Sequence, residues 1–182
     1  MKKLYFILFG VTALMLTASL TGCLEGDKKN IDPLSGLNYK NNDYGFGLNP
    51  PEGWTVDTSN QNIIVAFIGP TVDNFAINIV ATAGQFQTGE TPYMAADKII
   101  ENLSIYFSNF SLVSRGNTTT NSMNSHGAVY TFDQGDIALK QKQVIIEKNG
   151  KALILTLSST LGSFDTYNLA FVESLNSVKI IW

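Results

Sequence analysis

Side chains able to do chemistry are few in this 182-residue chain, which holds one cysteine and one histidine. Cys23 follows Leu20-Thr21-Gly22, and a thiol is the best side-chain nucleophile once it is deprotonated. The small pair Thr21-Gly22 leaves room for backbone and sulfur to enter a processing enzyme. His126 ends the polar run Asn121-Ser122-Met123-Asn124-Ser125. It could be combined with Ser125 and a distant Asp, but sequence neighbours seldom have triad geometry, so a solvated loop histidine is the expectation. Zinc would need ligands the chain lacks. Asp133 and Asp136 flank a hairpin and could, with Gln134, offer oxygens to a hard cation. Two carboxylates do not complete six ligands, and turn chemistry accounts for both. Lys140 and Lys142 share a strand face and suit an anion or, as a plainer reading, a solvated edge. Gly45-Phe46-Gly47 lies within a strand pattern and is no phosphate loop. The residues therefore predict no catalytic, cofactor or metal site, and one modified residue, Cys23.

What precedes Cys23 gives its thiol a purpose. Lys2 and Lys3 open the chain, and no charge follows from Leu4 to Thr21. This is the layout of an export signal. With Leu20-Thr21-Gly22-Cys23 it resembles the lipobox of prokaryotic lipoproteins, which implies a diacylglyceryl group on the sulfur and removal of residues 1–22. Two acyl chains hold a protein on a membrane where one does not. The alternatives are an ordinary signal peptide or a retained helix, although Leu4 to Leu20 is short for a hydrocarbon core of ~30 Å. The expected location is the extracytoplasmic face of the cell membrane, with the membrane itself as partner through a lipid (palmitate-type) anchor on Cys23. A lipidated Cys23 leaves no thiol for a disulfide, so stability must rest on the core.

Twelve Lys plus Arg against fifteen Asp plus Glu give a net charge of −3. Arg115 stands alone and no basic cluster appears, so nucleic acid is not expected as a partner. The length beyond the leader suits one domain. Residues 23–43 turn polar (Glu25, Asp27, Lys28, Lys29, Asn30, Asp32, then Pro33, Ser35 and Gly36) and predict a lipid-anchored flexible linker with a reach of ~25 Å.

Residues 44–182 read as one folded unit. Tyr44 to Leu48 predicts a first strand, broken by Asn49-Pro50-Pro51-Glu52-Gly53 ahead of Trp54. Strands follow at Ile63 to Ile68 and at Phe75 to Thr82, the latter with Phe75, Ile77 and Ile79 on one face. Gly69-Pro70 and Asp73-Asn74 supply the turn between them. Thr91 is a helix N-cap with Pro92 in the first turn. Ala96, Ile99, Ile100, Leu103, Tyr106, Phe107 and Phe110 form its apolar stripe. After a polar stretch from Arg115 to His126, a three-strand meander is expected: Gly127 to Gln134, Ile137 to Glu147, and Ala152 to Thr160. Its turns are Gly135-Asp136 and Asn149-Gly150. A helix from Phe164 to Leu175, starting after Ser163, and a short terminal strand complete an α+β domain with an antiparallel sheet. Asn102, Asn109 and Asn117 head glycosylation sequons.

The segment Tyr44-Gly-Phe-Gly-Leu-Asn-Pro-Pro-Glu-Gly-Trp54, with this order of elements, resembles the PsbP-like domain family over about residues 42–182. The resemblance implies an antiparallel sheet flanked by helices as an α-β-α sandwich. It also implies a non-catalytic accessory or binding role, and it supplies no catalytic residues. The functional expectation is an accessory or scaffold subunit of an envelope complex, with an envelope protein as partner. The alternative is a binding module for a small apolar ligand held between helices and sheet by Trp54, Phe67, Tyr106, Phe107, Tyr130 and Phe132.

Overall fold

The computed structural model describes residues 32–182. The leader, Cys23 and the first part of the expected linker lie outside the described residues. Ten strands and two helices follow in the order β1 (Tyr39–Asn41), β2 (Phe46–Leu48), β3 (Thr55–Asp57), β4 (Val65–Val72), β5 (Phe75–Gln85), α1 (Pro92–Tyr106), β6 (Ser108–Thr120), β7 (Met123–Gln134), β8 (Ile137–Lys148), β9 (Lys151–Thr160), α2 (Phe164–Ser177) and β10 (Lys179–Ile180). Seven strands make one antiparallel sheet, ordered β3-β4-β5-β9-β8-β7-β6, and β1-β2-β10 make a second, smaller one. The expected α+β class with an antiparallel sheet is what the chain adopts.

Turn chemistry sets the hairpins. Asn149 and Gly150 have φ of 51° and 75°, and Asp73 and Asn74 have 49° and 62°, the left-handed pairs that match strand twist in a two-residue loop. Gly69-Pro70 does not turn, contrary to expectation. β4 runs through it, with the register shifting between Ile68 and Thr71; a bulge is where a residue without an N–H can sit in a strand. Gly69 also gives room to Trp54, because a Cβ there would lie 2.5 Å from the indole.

Alternation along the strands gives the large sheet two faces. Leu139, Ile145, Tyr130 and Phe132 point to one face. Val144, Ile146, Leu153, Leu155, Leu157, Ile77 and Ile79 point to the other. α1 covers the first, with Ala96 and Ile99 packed on Ile145, Ala152 and Ile154. α2 covers the second, where Phe171 is fully buried, a burial worth roughly 1.5–3 kcal/mol for such a side chain. The small sheet shares that second face, through Tyr39 edge-on to Phe67 at 5.2 Å.

Three local expectations fail for physical reasons. The stripe on α1 does not continue as helix: Phe107 leaves it at ψ 135°, and Phe110 belongs to β6. Both rings still reach the core, stacking on Phe132 at 4.5 Å and Tyr130 at 5.6 Å. The polar stretch after Arg115 is the end of β6, the Asn121-Ser122 turn and the start of β7. The linker expected over 23–43 is structured from Asp32 onward. Leu34 has no exposed surface, and Asp32 pairs with Lys40 at 2.8 Å. β1 lies along β2. One apolar side chain and one backbone ladder are enough to fix a polar segment.

Candidate functional site

A group of polar side chains meets where α1 crosses β6 and β7. β7 alternates His126, Ala128, Tyr130 and Phe132 toward α1, so His126 is 1% exposed and does not lie in a solvated loop. Its ring meets Tyr93 of α1 edge-on, with centroids 5.2 Å apart. Nδ1 lies 3.0 Å from Asn117 Oδ1 of β6, which makes Nδ1 the protonated nitrogen. Nε2 is buried without a partner. Arg115 closes the group from outside: Nη2 donates to Tyr93 Oη at 2.7 Å, the guanidinium lies 4.8 Å over the Tyr93 ring, and it forms an ion pair with Asp97. Burial, and then the Arg115 charge, hold the His126 pKa below its ordinary value.

This arrangement favours a neutral imidazole and gives it nothing to act on. Ser125 is adjacent in the strand and therefore points to the opposite face, where Oγ donates to Met123 O at 3.1 Å. The joint holds α1 on the sheet through five side chains from three elements. The pattern missed Tyr93, Asp97 and Arg115 as partners, because nothing in sequence spacing brings a helix and an edge strand together. His126 carried a usable signal. The period-two series through Tyr130 and Phe132 extends back to it.

A cavity of about 400 Å³ opens beside the N-terminus of α1, lined by Gln85, Thr88, Glu90, Thr91, Asn124 and Glu147 among others. Its carboxylates are already committed. Glu90 accepts from Lys98 Nζ at 2.7 Å and from Gln87 N at 2.9 Å, contacts that hold its pKa low. Glu147 accepts from Gly150 N at 3.1 Å. Among the described residues no group of three or more His, Cys, Asp or Glu could hold a metal. Asp133 takes a hydrogen bond from Asn109 Nδ2.

Lys140 and Lys142 form neither an anion site nor a solvated edge, because β8 is an inner strand. Lys140 lies 4.3 Å over the Phe164 ring, and Lys142 Nζ donates to Asn168 Oδ1 at 3.1 Å. Burial lowers the pKa of Lys142. Both lysines lie under α2. Lys148, on the same face, donates to Ile180 O at 2.6 Å and ties the small sheet down.

The aromatic set expected around an apolar ligand is divided by the sheet itself. Phe67, on the α2 face, packs on Tyr39, and Trp54 packs on Tyr167 of α2. Phe107, Phe132 and Tyr130 stack together on the α1 face. Tyr106 is 67% exposed. These six residues share no common space, and the ligand reading loses its lining.

The DcrB family profile matches residues 47–175, well over half of the chain. No curated protein matches. Among solved structures, cyanobacterial PsbP (CyanoP) of Synechocystis sp. PCC 6803 is similar with a TM-score of 0.62 and 15% identity, over 86% of this chain and 98% of that one. LpqN of Mycobacterium tuberculosis, described as involved in cell envelope biogenesis, gives 0.58 and 15% over 75% and 83%. The Ran-binding protein Mog1p of Saccharomyces cerevisiae gives 0.55 and 6% over 75% and 90%. At these identities the likeness is one of fold. The chain belongs to the DcrB family and folds as a PsbP-like domain.

Proposed function

We propose that this protein is an extracytoplasmic lipoprotein, anchored through lipid on Cys23, whose PsbP-like domain serves as a non-catalytic accessory or scaffold subunit in the cell envelope. The observation that carries this reading is Leu20-Thr21-Gly22-Cys23, set a few residues ahead of the folded domain. The domain adds support, since its His126, Arg115, Glu90 and Lys142 are engaged in holding elements together. LpqN, which shares the fold at 15% identity, is described as an envelope-biogenesis protein.

Replacement of Cys23 by Ser tests the anchor. Cells fed labelled palmitate should label the parent protein and not the variant, and the variant should leave the membrane fraction or accumulate unprocessed. Equal pelleting of both, uncleaved, would sink the anchor. Crosslinking in intact cells followed by gentle solubilisation tests the scaffold role. A specific envelope protein should be captured, and repeated recovery of the bare protein would remove that role.

A further inference from the structure

The entry of the chain into the fold, the last strand and the β8–β9 turn meet at one end of the molecule. Asp32, where the described residues begin, pairs with Lys40, and Lys179 Nζ reaches Ser35 O at 3.5 Å. Lys40 and Lys179 stand in register on either side of Gly47, so the chain enters over the small sheet. β10 runs on into Ile181, whose N donates to Gly45 O at 2.8 Å. Trp182 Nε1 donates to Tyr44 O. From the β8–β9 turn, Lys151 lies 5.6 Å over the Trp182 ring, and Lys148 holds Ile180 O.

Tyr44 and Ile181 are 45% and 44% exposed, and Trp182 is half-buried. Tyrosine and tryptophan favour the headgroup level of a membrane, where ring and polar tip are both satisfied. Lysine lays its apolar stem along such a surface and keeps its charge in water. Charge is also spread unequally over the molecule. This end holds Lys40, Lys148, Lys151 and Lys179 against Asp32, Asp43 and Glu147, and Glu147 is drawn off to the turn by Gly150 N. The other residues from 32 onward hold four Lys and Arg against ten Asp and Glu. No short stretch of sequence is basic, and folding gathers these lysines from three segments.

We infer that this end lies on the anionic bilayer to which Cys23 is anchored, with Tyr44, Ile181 and Trp182 among the headgroups and Lys151 and Lys179 on their phosphates. The inference rests on the lipid anchor proposed above. The tether selects this occupant. Eight residues, 24–31, separate the anchor from Asp32; they reach at most roughly 30 Å and enter the fold at this end. A short link keeps the patch at high effective concentration beside the bilayer, so contacts too weak to recruit a free protein suffice to orient an anchored one. Anionic lipid attracts the lysine end and repels the acidic remainder. The apolar side chains exposed on α1 fit an anionic bilayer less well. They lie across the large sheet from the small one, Lys98 and Arg115 there are paired with Glu90 and Asp97, and Glu101 adds a further negative charge.

The test uses the acylated full-length chain, in which Cys23 is occupied, so that one introduced thiol carries a nitroxide. Ile181→Cys reports on this end, and Ile105→Cys, at a site 72% exposed on α1, is the comparison. In vesicles of phosphatidylcholine with phosphatidylglycerol, the ratio of oxygen to aqueous nickel-chelate collisions should be several-fold higher at position 181 than at 105. Lys151→Glu with Lys179→Glu should bring the two labels to one value, while vesicle flotation and circular dichroism stay unchanged. Flotation with both labels equally aqueous overturns the inference and leaves the anchor standing. A lipid signal at position 105 instead overturns it in favour of α1. A parent chain that is neither acylated nor floated removes anchor and inference together. In intact cells, a benzophenone side chain in place of Ile181 should capture lipid, and capture of an envelope protein there also overturns the inference.

Discussion

At the scale of single residues, the buried imidazole and one glycine carry the sharpest consequences. His126 stays neutral in the folded protein because burial and the Arg115 charge depress its pKa. In the unfolded chain it titrates at about 6.5. Above that value both states hold a neutral ring and no stability is lost. As pH falls below it, the unfolded state takes up the proton first, so stability drops through the folded pKa and then levels off. Urea melts between pH 8 and pH 5 should show this slope, and His126→Gln should flatten it. An unchanged slope in the variant would assign the effect to other groups. At Gly69 a methyl group would stand 2.5 Å from the Trp54 ring. Gly69→Ala should therefore destabilise by roughly 1–3 kcal/mol, the usual range for overpacking, and should shift Trp54 fluorescence.

At the scale of elements, what was legible depended on whether burial wrote a period into the chain. β8 and β9 bury one face under α2, β5 turns Phe75, Ile77 and Ile79 into the same core, and those three residues show the alternation plainly. Asn149-Gly150 needs a positive φ that few other residue pairs accept, so that hairpin was visible as well. β6 was not, because an edge strand exposed on both faces has no apolar alternation to display. Phe107 and Phe110 misled for the opposite reason: their spacing fits a helix, but the extended backbone at the end of α1 and in β6 delivers the rings to Phe132 and Tyr130. Burying an aromatic ring rewards either backbone equally. The polar joint at His126 was half legible, since its strand alternates but its helix and edge-strand partners come from elsewhere in the chain. The two helices also differ at their starts. Thr91 Oγ1 accepts from Met94 N at 3.3 Å, whereas Ser163 makes no cap bond to α2 and shares its hydroxyl with Thr160 at 2.8 Å. Thr91→Ala should cost about 1 kcal/mol, read as a lower melting temperature and faster amide exchange in the first turn of α1. A null result would mean that Pro92 and packing alone fix that end.

At the scale of the whole molecule, the folded body begins earlier than composition suggests, and this changes how an anchored domain would stand. The polar residues from Asp32 to Asp43 are fastened at several points. Asp32 Oδ1 accepts from Leu34 N at 2.9 Å, Asn49 Oδ1 accepts from Asn38 N at 2.9 Å, and Tyr39 to Asn41 pair with β2. Leu34 is wholly buried, close against β2, where a Cβ on Gly47 would touch it. With Cys23 as the anchor, only residues 24–31 separate lipid from fold. Fully extended, they reach at most roughly 30 Å, so the body would stay within about one domain diameter of the bilayer. The decisive residue is Leu34, because a spacer would not miss it and a folded segment would. Leu34→Ala should destabilise by about 2–5 kcal/mol, the range for emptying a filled core site. It should also expose the Lys40 peptide bond to trypsin under native conditions, while the parent resists cleavage there. Equal cleavage of parent and variant at Lys40 would return Asp32–Asp43 to the spacer and lengthen the tether accordingly.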